Sequence, residues 1–136
     1  MTSITAETIL AAYRIGIFPM ADSADDPSLF WVDPDRRGIF PLDKFHVPKR
    51  LTKSIRKDPF EVTIDLDFRG VMRACAAPRR DGGDTWINPE IMERYGELHD
   101  LGYAHSVECR RDGELVGGLY GLAFDSVFCG ERMFTK

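Results

Sequence analysis

The sequence predicts an α+β fold in which helices pack on an antiparallel sheet. Residues 109–134 hold two apolar runs that flank D-S at 125–126, and a polar R-D-G turn at 111–113 precedes them, which is the pattern of an antiparallel meander. N-P-E at 88–90 gives a capping side chain, a first-turn proline and an acid, which together mark the start of a helix. An antiparallel sheet combined with helices in one chain belongs to the α+β class.

The other elements follow from periodicity and capping signals. Apolar residues at helical spacing predict a helix after Thr5 and a second from Val47 to Lys57, with Leu51 and Ile55 facing inward. Further along, the sequence predicts, in order, a strand at Phe60–Asp65, a helix capped by Asp67, the helix after Asn88, and strands at Tyr103–Arg110, Leu115–Phe124 and Val127–Phe134. The run Leu115–Phe124 is apolar or glycine throughout, which predicts a central strand buried on both faces.

The order strand, helix, helix, strand, strand, strand after residue 58 is typical of the opening half of the GNAT-type N-acetyltransferase fold. We therefore expect an incomplete GNAT-type domain with a mixed or antiparallel sheet over residues 44–136 and a small N-terminal lobe over residues 1–43. Strict alternation beyond a two-residue turn at 125–126 would place Leu119 and Met133 on opposite faces of the sheet. A bulge near Gly130 would bring them to one face, and we predict such a bulge.

Composition limits the functional classes. The 136 residues carry a net charge of −4, hold no apolar run long enough to span a membrane, and begin without a secretory pattern, so we expect a cytoplasmic protein. The three cysteines lack the spacing of a disulfide framework or a zinc site and are expected to be buried thiols. Basic side chains without an acid are concentrated in residues 44–57, which suits a phosphate-binding surface or a solvated amphipathic helix. The candidates for tRNA binding are Lys49, Arg50, Lys53, Arg56 and Lys57.

Six motifs, taken together, resemble those of the bacterial leucyl/phenylalanyl-tRNA–protein transferases, in the order and near the spacing of that family. They are A-Y-R-I-G-I-F-P at 12–19, F-W-V-D-P-D-R-R at 30–37, T-W-I at 85–87, L-H-D-L-G-Y-A-H-S-V-E at 98–108, G-E-L-V-G-G-L-Y-G at 113–121 and F-C-G-E-R-M-F at 128–134.

The resemblance implies an enzyme that moves Leu, Phe or Met from aminoacyl-tRNA to the N-terminal Arg or Lys of a protein and so marks that protein for degradation. It implies no metal and no coenzyme, because the ester on the tRNA is already activated. It also implies a protein that is monomeric when complete and not bound to a membrane. The family's catalytic Asp and Gln follow the last matched motif, so the resemblance places the catalytic residues beyond Lys136 and makes the chain an N-terminal portion.

The resemblance also implies an amino-acid pocket. It places Trp86 beside the terminal adenosine or the pocket mouth, and it makes Glu131 the pocket carboxylate. Arg132 stands where the family usually has a serine, and we expect it to compete for Glu131. The other pocket positions implied are apolar walls at Leu119, Phe128 and Met133 and a close backbone approach at Gly130.

The same residues have a physical interpretation that does not depend on the family. An apolar pocket senses only side-chain bulk, so it accepts Leu, Phe and Met alike. A carboxylate at its rim holds an α-ammonium group by a charge-assisted hydrogen bond, whereas an edge-strand glutamate without a ligand faces water. Trp86 either stacks on an adenine or packs half-buried before the Asn88 helix. For His105 we expect a hydrogen-bonded core histidine rather than a catalytic group.

Two functions from other classes remain open at this point. A non-catalytic RNA-binding module would use the basic segment alone and would bind tRNA whether or not an amino acid is attached. A small-molecule N-acyltransferase would need a pyrophosphate-binding loop, and the sequence contains no such motif.

Overall fold

The computed structural model describes residues 4–57, 60–78 and 85–136. Within them the chain forms four α-helices, one short 3₁₀ helix and two antiparallel sheets, which confirms the α+β class. The elements after residue 60 follow the expected order of strand, two helices and three strands. No helix in these ranges has the length and apolar character needed to cross a membrane.

The N-terminal segment builds one helix and a small sheet. Helix α1 (Ala6–Arg14) begins at Thr5, whose side chain accepts a hydrogen bond from the Thr8 amide, as the capping pattern predicts. Strands β1 (Phe18–Met20) and β2 (Phe30–Val32) then pair in an antiparallel manner. Helix α1 buries Ile9, Leu10 and Tyr13, so it belongs to the hydrophobic core.

The prediction for the basic helix was right about its existence and wrong about its packing. Helix α2 (Lys49–Lys57) buries none of its residues, and Leu51 and Ile55 are 47% and 54% exposed. Helical spacing identifies one apolar stripe but does not supply a surface against which it can pack. No such surface lies among the described residues, so the stripe stays in solvent.

The larger sheet has four strands in sequence order: β3 (Glu61–Ile64), β4 (Ala104–Arg111), β5 (Glu114–Phe124) and β6 (Val127–Thr135). All neighbouring pairs are antiparallel. Helices α3 (Phe68–Ala76) and α4 (Pro89–Asp100) begin at Asp67 and Asn88, and each cap accepts a backbone N–H bond as predicted.

One face of this sheet is covered by helices and the other is open. Tyr120 and Leu122 of β5 point into a core shared with α1, α3 and α4. On the opposite face Val62, Ile64 and Met133 are 63%, 70% and 66% exposed. The prediction that β5 is buried on both faces is therefore wrong, because full burial is reached only at residues 120–122 of the strand.

The predicted bulge is present. Tyr120 pairs with Arg132, whereas the next residue of β5, Gly121, pairs with Gly130, so Glu131 is the extra residue on β6. Leu119 consequently pairs directly with Met133, and side chains of directly opposed residues share a face. The single inserted residue thus resets the alternation of β6 and turns Glu131 toward the helices.

Candidate functional site

Glu131 is the centre of the candidate site. It is a carboxylate on the bulge of β6, and it lies partly buried against helix α1. The Tyr13 hydroxyl donates a hydrogen bond to its Oε1 atom. Among the described residues Tyr13 is its one hydrogen-bond donor, so Oε2 keeps its capacity to accept a bond from a ligand.

A second tyrosine supports the first. The hydroxyl oxygens of Tyr13 and Tyr95 are 2.5 Å apart, and both side chains are almost completely buried. Their rings meet edge to face, and Tyr13 also meets Phe124 in this way. Helical spacing with Ile9 and Leu10 puts Tyr13 on the inward side of α1, but no local pattern connects it with Glu131. A buried tyrosine hydroxyl needs a polar partner, and this requirement is the one signal that points to such a contact.

The surroundings of Glu131 disfavour its ionised form. Burial raises the pKa of Glu131 to about 7, while the Tyr13 hydrogen bond and the positive charge of Arg37 act in the opposite direction. Burial also raises the pKa of Tyr13 far above its usual value, with the nearby Tyr95 and Glu131 adding to the effect. The tyrosine therefore stays protonated and remains a donor. The carboxyl group is balanced near neutrality, where a ligand cation would favour its ionised form.

Arg132 does not occupy the position that we expected. Arg132 does not pair with Glu131 but donates a 2.7 Å hydrogen bond to Thr85 Oγ1. The prediction that Arg132 competes for Glu131 is therefore wrong, because Glu131 contacts Tyr13 whereas Arg132 contacts Thr85. The cation that acts on Glu131 is Arg37, which follows β2 and lies 5.0 Å over the Phe18 ring.

Leu119 and Met133 line a hollow on the open face of the sheet. Its volume is about 440 Å³, and Phe60, Val107 and Cys109 also line it. Phe128 pairs with Ala123, two positions along β5 from Gly121, and so belongs to the same face as Leu119. The three apolar side chains proposed for the pocket thus share a face, whereas the carboxylate of Glu131 points to the other.

Trp86 lies in a second hollow, on the helix-covered side. This hollow of about 690 Å³ is also lined by Cys75, Arg132 and Met133. Trp86 is half-buried and packs against the core just before α4. Met133 lines both hollows because β6 is the edge strand that separates them. A ligand would reach all the expected residues only by lying across this edge.

Gly130 leaves space at that edge. A Cβ atom placed on Gly130 would meet only the Phe128 ring, at 3.8 Å. The equivalent atom on Gly121, opposite in the sheet, would lie 2.3 Å from the Cys129 carbonyl oxygen. At the bulge, there is thus no space for a side chain at Gly121 of β5, whereas there is space for one at Gly130 of β6.

The basic side chains of α2 form an exposed group. None of them makes an ion pair within the described residues, and burial is low along the whole helix. The group comprises Lys49, Arg50, Lys53, Arg56 and Lys57.

His105 has a partner that sequence analysis missed. Its Nδ1 atom lies 2.6 Å from Asp65 Oδ2, and Asp65 also accepts a hydrogen bond from the Ser106 amide. The expected hydrogen bond is present, but His105 is half-buried on the open face rather than part of the core. The His105 contact, with others, lowers the pKa of Asp65 against the opposing effect of burial. Asp65 has a φ of 57°, so this contact fixes the strained corner between β3 and α3.

No cluster of three histidine, cysteine or acidic side chains within the described ranges has the geometry of a metal site. The expectation of buried thiols holds for Cys75, whereas Cys109 and Cys129 are half-buried. Burial raises the pKa of Cys75 to about 11, so this thiol is not activated.

The comparison with protein families decides the assignment. The profile described as leucyl/phenylalanyl-tRNA protein transferase matches residues 39–136, and the profile of the N-terminal domain of the same family matches residues 2–35. The chain belongs to the leucyl/phenylalanyl-tRNA–protein transferase family. The first of these matches contains the bulge, both hollows and the basic helix, and the second contains Tyr13.

Individual members of the family are similar over nearly the whole chain. A leucyl/phenylalanyl-tRNA–protein transferase of Rhodopseudomonas palustris (strain TIE-1) is 54% identical over 135 residues, which are 99% of this chain and 60% of that protein. The transferase of Paramagnetospirillum magneticum is 51% identical over 136 residues, which cover 100% of this chain and 65% of the relative. The chain therefore spans about 60% of the length of the curated relatives that it matches.

Proposed function

We propose that this chain carries the aminoacyl-tRNA-binding part of an aminoacyltransferase that moves Leu, Phe or Met to the N-terminal Arg or Lys of proteins. The observation that carries the proposal is the bulge at Glu131, where one carboxylate oxygen is held by Tyr13 and the other has no partner among the described residues. An α-ammonium group supplies the missing donor and the missing charge. The names of the relatives support the reaction class.

The amino-acid side chain is proposed to occupy the hollow between Leu119 and Met133. This hollow is mainly apolar, and among the described residues that line it no polar group would select one apolar amino acid by hydrogen bonding. Bulk alone distinguishes side chains that differ by a methylene only weakly, about 10- to 200-fold. Acceptance of Leu, Phe and Met together follows from that limit. Phe128 and Gly130 extend the same surface toward the bulge.

The terminal adenosine is proposed to stack on Trp86. The indole is half-buried at the second hollow, next to the strand that carries Glu131, so an ester-linked nucleoside and amino acid can lie across the β6 edge. Stacking of a base on an aromatic ring contributes about 1–3 kcal/mol. The transfer itself requires mainly that the activated ester and the incoming amine be positioned together. The groups that act on the amine remain proposed to lie beyond Lys136.

The test of this function is whether binding depends on the attached amino acid. We expect the chain to bind phenylalanyl-tRNA more tightly than uncharged tRNA, and Glu131→Gln to abolish most of the difference, because the neutral amide removes the charge partner of the ammonium group. Glu114→Gln is the matched control, since Glu114 is an exposed glutamate at the start of β5. Equal affinity for charged and uncharged tRNA would instead support a non-catalytic RNA-binding module. Transfer of labelled Phe to a peptide with N-terminal Arg measures the reaction directly.

Helix α2 is proposed to track tRNA phosphates. Replacing Lys49, Arg50, Lys53 and Arg56 by alanine is expected to weaken tRNA binding and to reduce the slope of log affinity against log salt by about 0.7–0.9 for each phosphate that the variant no longer neutralises. Filter binding at several salt concentrations measures both effects. Alanine substitution of Arg110 and Glu114, on strands β4 and β5, is the control. An unchanged salt slope in the α2 variant would show that this helix is only a solvated surface.

The proposal also covers the consequence of the transfer, the location of the protein and its organisation. Transfer to N-terminal Arg or Lys would mark proteins for degradation, and aminoacyl-tRNA is available in the cytoplasm, where we place the protein. We also propose that residues 1–43 form a small N-terminal lobe, whose helix α1 packs into the core of an acyltransferase-like part over residues 44–136, and that the protein acts as a monomer. Gel filtration with light scattering tests the last point.

A further inference from the structure

We infer that Tyr13 is a positioning residue for Glu131, and that Tyr95 in turn positions Tyr13. The inference rests on the proposed function, in which Glu131 binds the α-ammonium group of the donor. Tyr13 fixes one oxygen of the carboxylate, so that the second oxygen is presented to the ligand in one orientation. Helix α1 of the N-terminal segment thereby becomes part of the substrate site.

The hydrogen bonds have a defined direction. The Tyr13 hydroxyl donates to Glu131 Oε1, so its single proton is not available to Tyr95. The Tyr95 hydroxyl, 2.5 Å away, must therefore donate to the Tyr13 oxygen. The result is a chain of donors from Tyr95 through Tyr13 to Glu131, in which each bond polarises and strengthens the next.

Packing holds this chain in place. Tyr13 is 3% exposed and Tyr95 is fully buried. The Tyr13 ring meets both Tyr95 and Phe124 edge to face, with centroids 6.4 Å apart in each case. Tyr95 also meets Tyr120. Because three elements of the core fix the two rings, the carboxylate is oriented before any ligand arrives, and little side-chain entropy is lost on binding.

The electrostatic surroundings of Glu131 determine in which direction its pKa should change when the Tyr13 hydrogen bond is removed. Besides the two phenols, the groups that act on Glu131 or respond to it are Arg37, Tyr120 and Cys129. Burial disfavours the ionised carboxylate, and the hydrogen bond from Tyr13 favours it. Removing that bond therefore raises the pKa of Glu131 further. A tyrosine that only filled space would leave the titration unchanged.

The experiment is a carbon-13 NMR titration of the glutamate carboxyl groups in the 136-residue chain, with Glu131→Gln used to assign the signal. Tyr13→Phe is expected to raise the pKa of Glu131 by about one pH unit, the effect of removing a hydrogen bond to a charged group. Tyr95→Phe is expected to raise it less. Tyr103→Phe is the control, because the Tyr103 hydroxyl makes no hydrogen bond within the described residues and its side chain packs at the edge of the core.

An unchanged Glu131 titration in Tyr13→Phe would overturn the inference, as would an equal shift in Tyr103→Phe. If Tyr13→Phe does not fold, Tyr95→Phe decides in the same way, since it leaves Tyr13 in place and removes only its donor. The amide-to-proton correlation spectrum of each variant establishes whether it has folded.

A binding experiment separates this inference from the proposed function. The wild type is expected to bind an amide-linked phenylalanyl-adenosine about fivefold more tightly than Tyr13→Phe at pH 7, because the ionised fraction of Glu131 falls when its pKa rises. This ratio is expected to fall toward one at higher pH. The two proteins are compared at each pH, since the α-ammonium group of the probe also loses its proton as the pH rises. If Glu131→Gln binds this probe like the wild type, the proposed function of Glu131 fails even where Tyr13→Phe shifts the titration. If Glu131→Gln loses binding but Tyr13→Phe binds normally at every pH, the positioning role fails alone.

Discussion

Glu131→Gln is expected to be equally stable at pH 5 and pH 8 as far as this residue is concerned, whereas the wild-type protein loses stability over the same interval. The pKa of Glu131 is raised to about 7 in the folded chain from an ordinary value of 4.5, so the folded state binds the proton more tightly than the unfolded state does. The stabilisation is complete below the ordinary value and is lost as the pH rises through about 7. The loss over this interval amounts to about 2–3 kcal/mol. Glutamine keeps an oxygen that accepts the Tyr13 hydrogen bond and has no charge to bury.

The measurement is urea unfolding at several pH values, followed by far-UV circular dichroism. The quantity of interest is the difference between wild type and variant at each pH, because other titrating groups then cancel. Glu114→Gln is the control, since an exposed glutamate should leave the pH dependence as it is. A Glu131→Gln protein with the wild-type pH dependence would show that the carboxyl group is not held in a desolvated site.

Gly121→Ala is expected to destabilise the fold by about 3 kcal/mol, at the upper end of the cost of overpacking. A Cβ atom there would lie 2.3 Å from the Cys129 carbonyl oxygen and 2.6 Å from the Phe128 ring. Ring displacement relieves the second contact, but the first involves the backbone of the neighbouring strand. The alanine must therefore push β6 away from β5 at the bulge that carries Glu131.

Gly130→Ala is the matched control on the opposite strand. Its added carbon meets only the Phe128 ring at 3.8 Å, which is an ordinary contact, so its free energy of unfolding should change by less than about 1 kcal/mol. Chemical denaturation of both variants at one pH compares them directly. Equal stabilities would mean that the bulge is not tightly packed against β5.

Local patterns in the sequence predicted much of the fold. Helix starts at Thr5, Asp67 and Asn88 are correct because a capping side chain bonds to an amide only three residues away. The bulge was also predictable. Side chains alternate strictly along a strand. Leu119 and Met133 can therefore share a face only if one of the two strands has an extra residue between the turn at 125–126 and this pair.

The predictions that failed concern surfaces rather than elements. The apolar stripe of α2 was expected to face inward, yet Leu51 and Ile55 are exposed. The apolar character of β5 was taken to mean cover on both faces, yet helices cover only one. Periodicity states which side of an element is apolar, and it contains no information on whether another element lies against that side.

The contacts of the candidate site were the least predictable part. Tyr13 and Glu131 are 118 positions apart, and Asp65 and His105 are 40 apart. Nothing local connects such pairs, because each side chain has several plausible partners until the chain has folded. Glu131 was identified as the pocket carboxylate that the resemblance implies, but the face of the sheet that it occupies was not. The assignment of Leu119, Phe128, Met133 and Trp86 to one pocket stays a proposal, since the structure places them around an edge strand.

The amino-acid sequence alone was enough to identify the four helices, the strands of the larger sheet, three helix caps, the bulge and the family to which the chain belongs, but not the small sheet of β1 and β2. These depend on hydrogen bonds between near neighbours and on motifs read in order. The folded arrangement was needed to show that Glu131 turns away from Leu119 and Met133 toward a tyrosine of the first helix. The reason is physical: a bulge changes which face a side chain occupies, and the partner on that face comes from the other end of the chain.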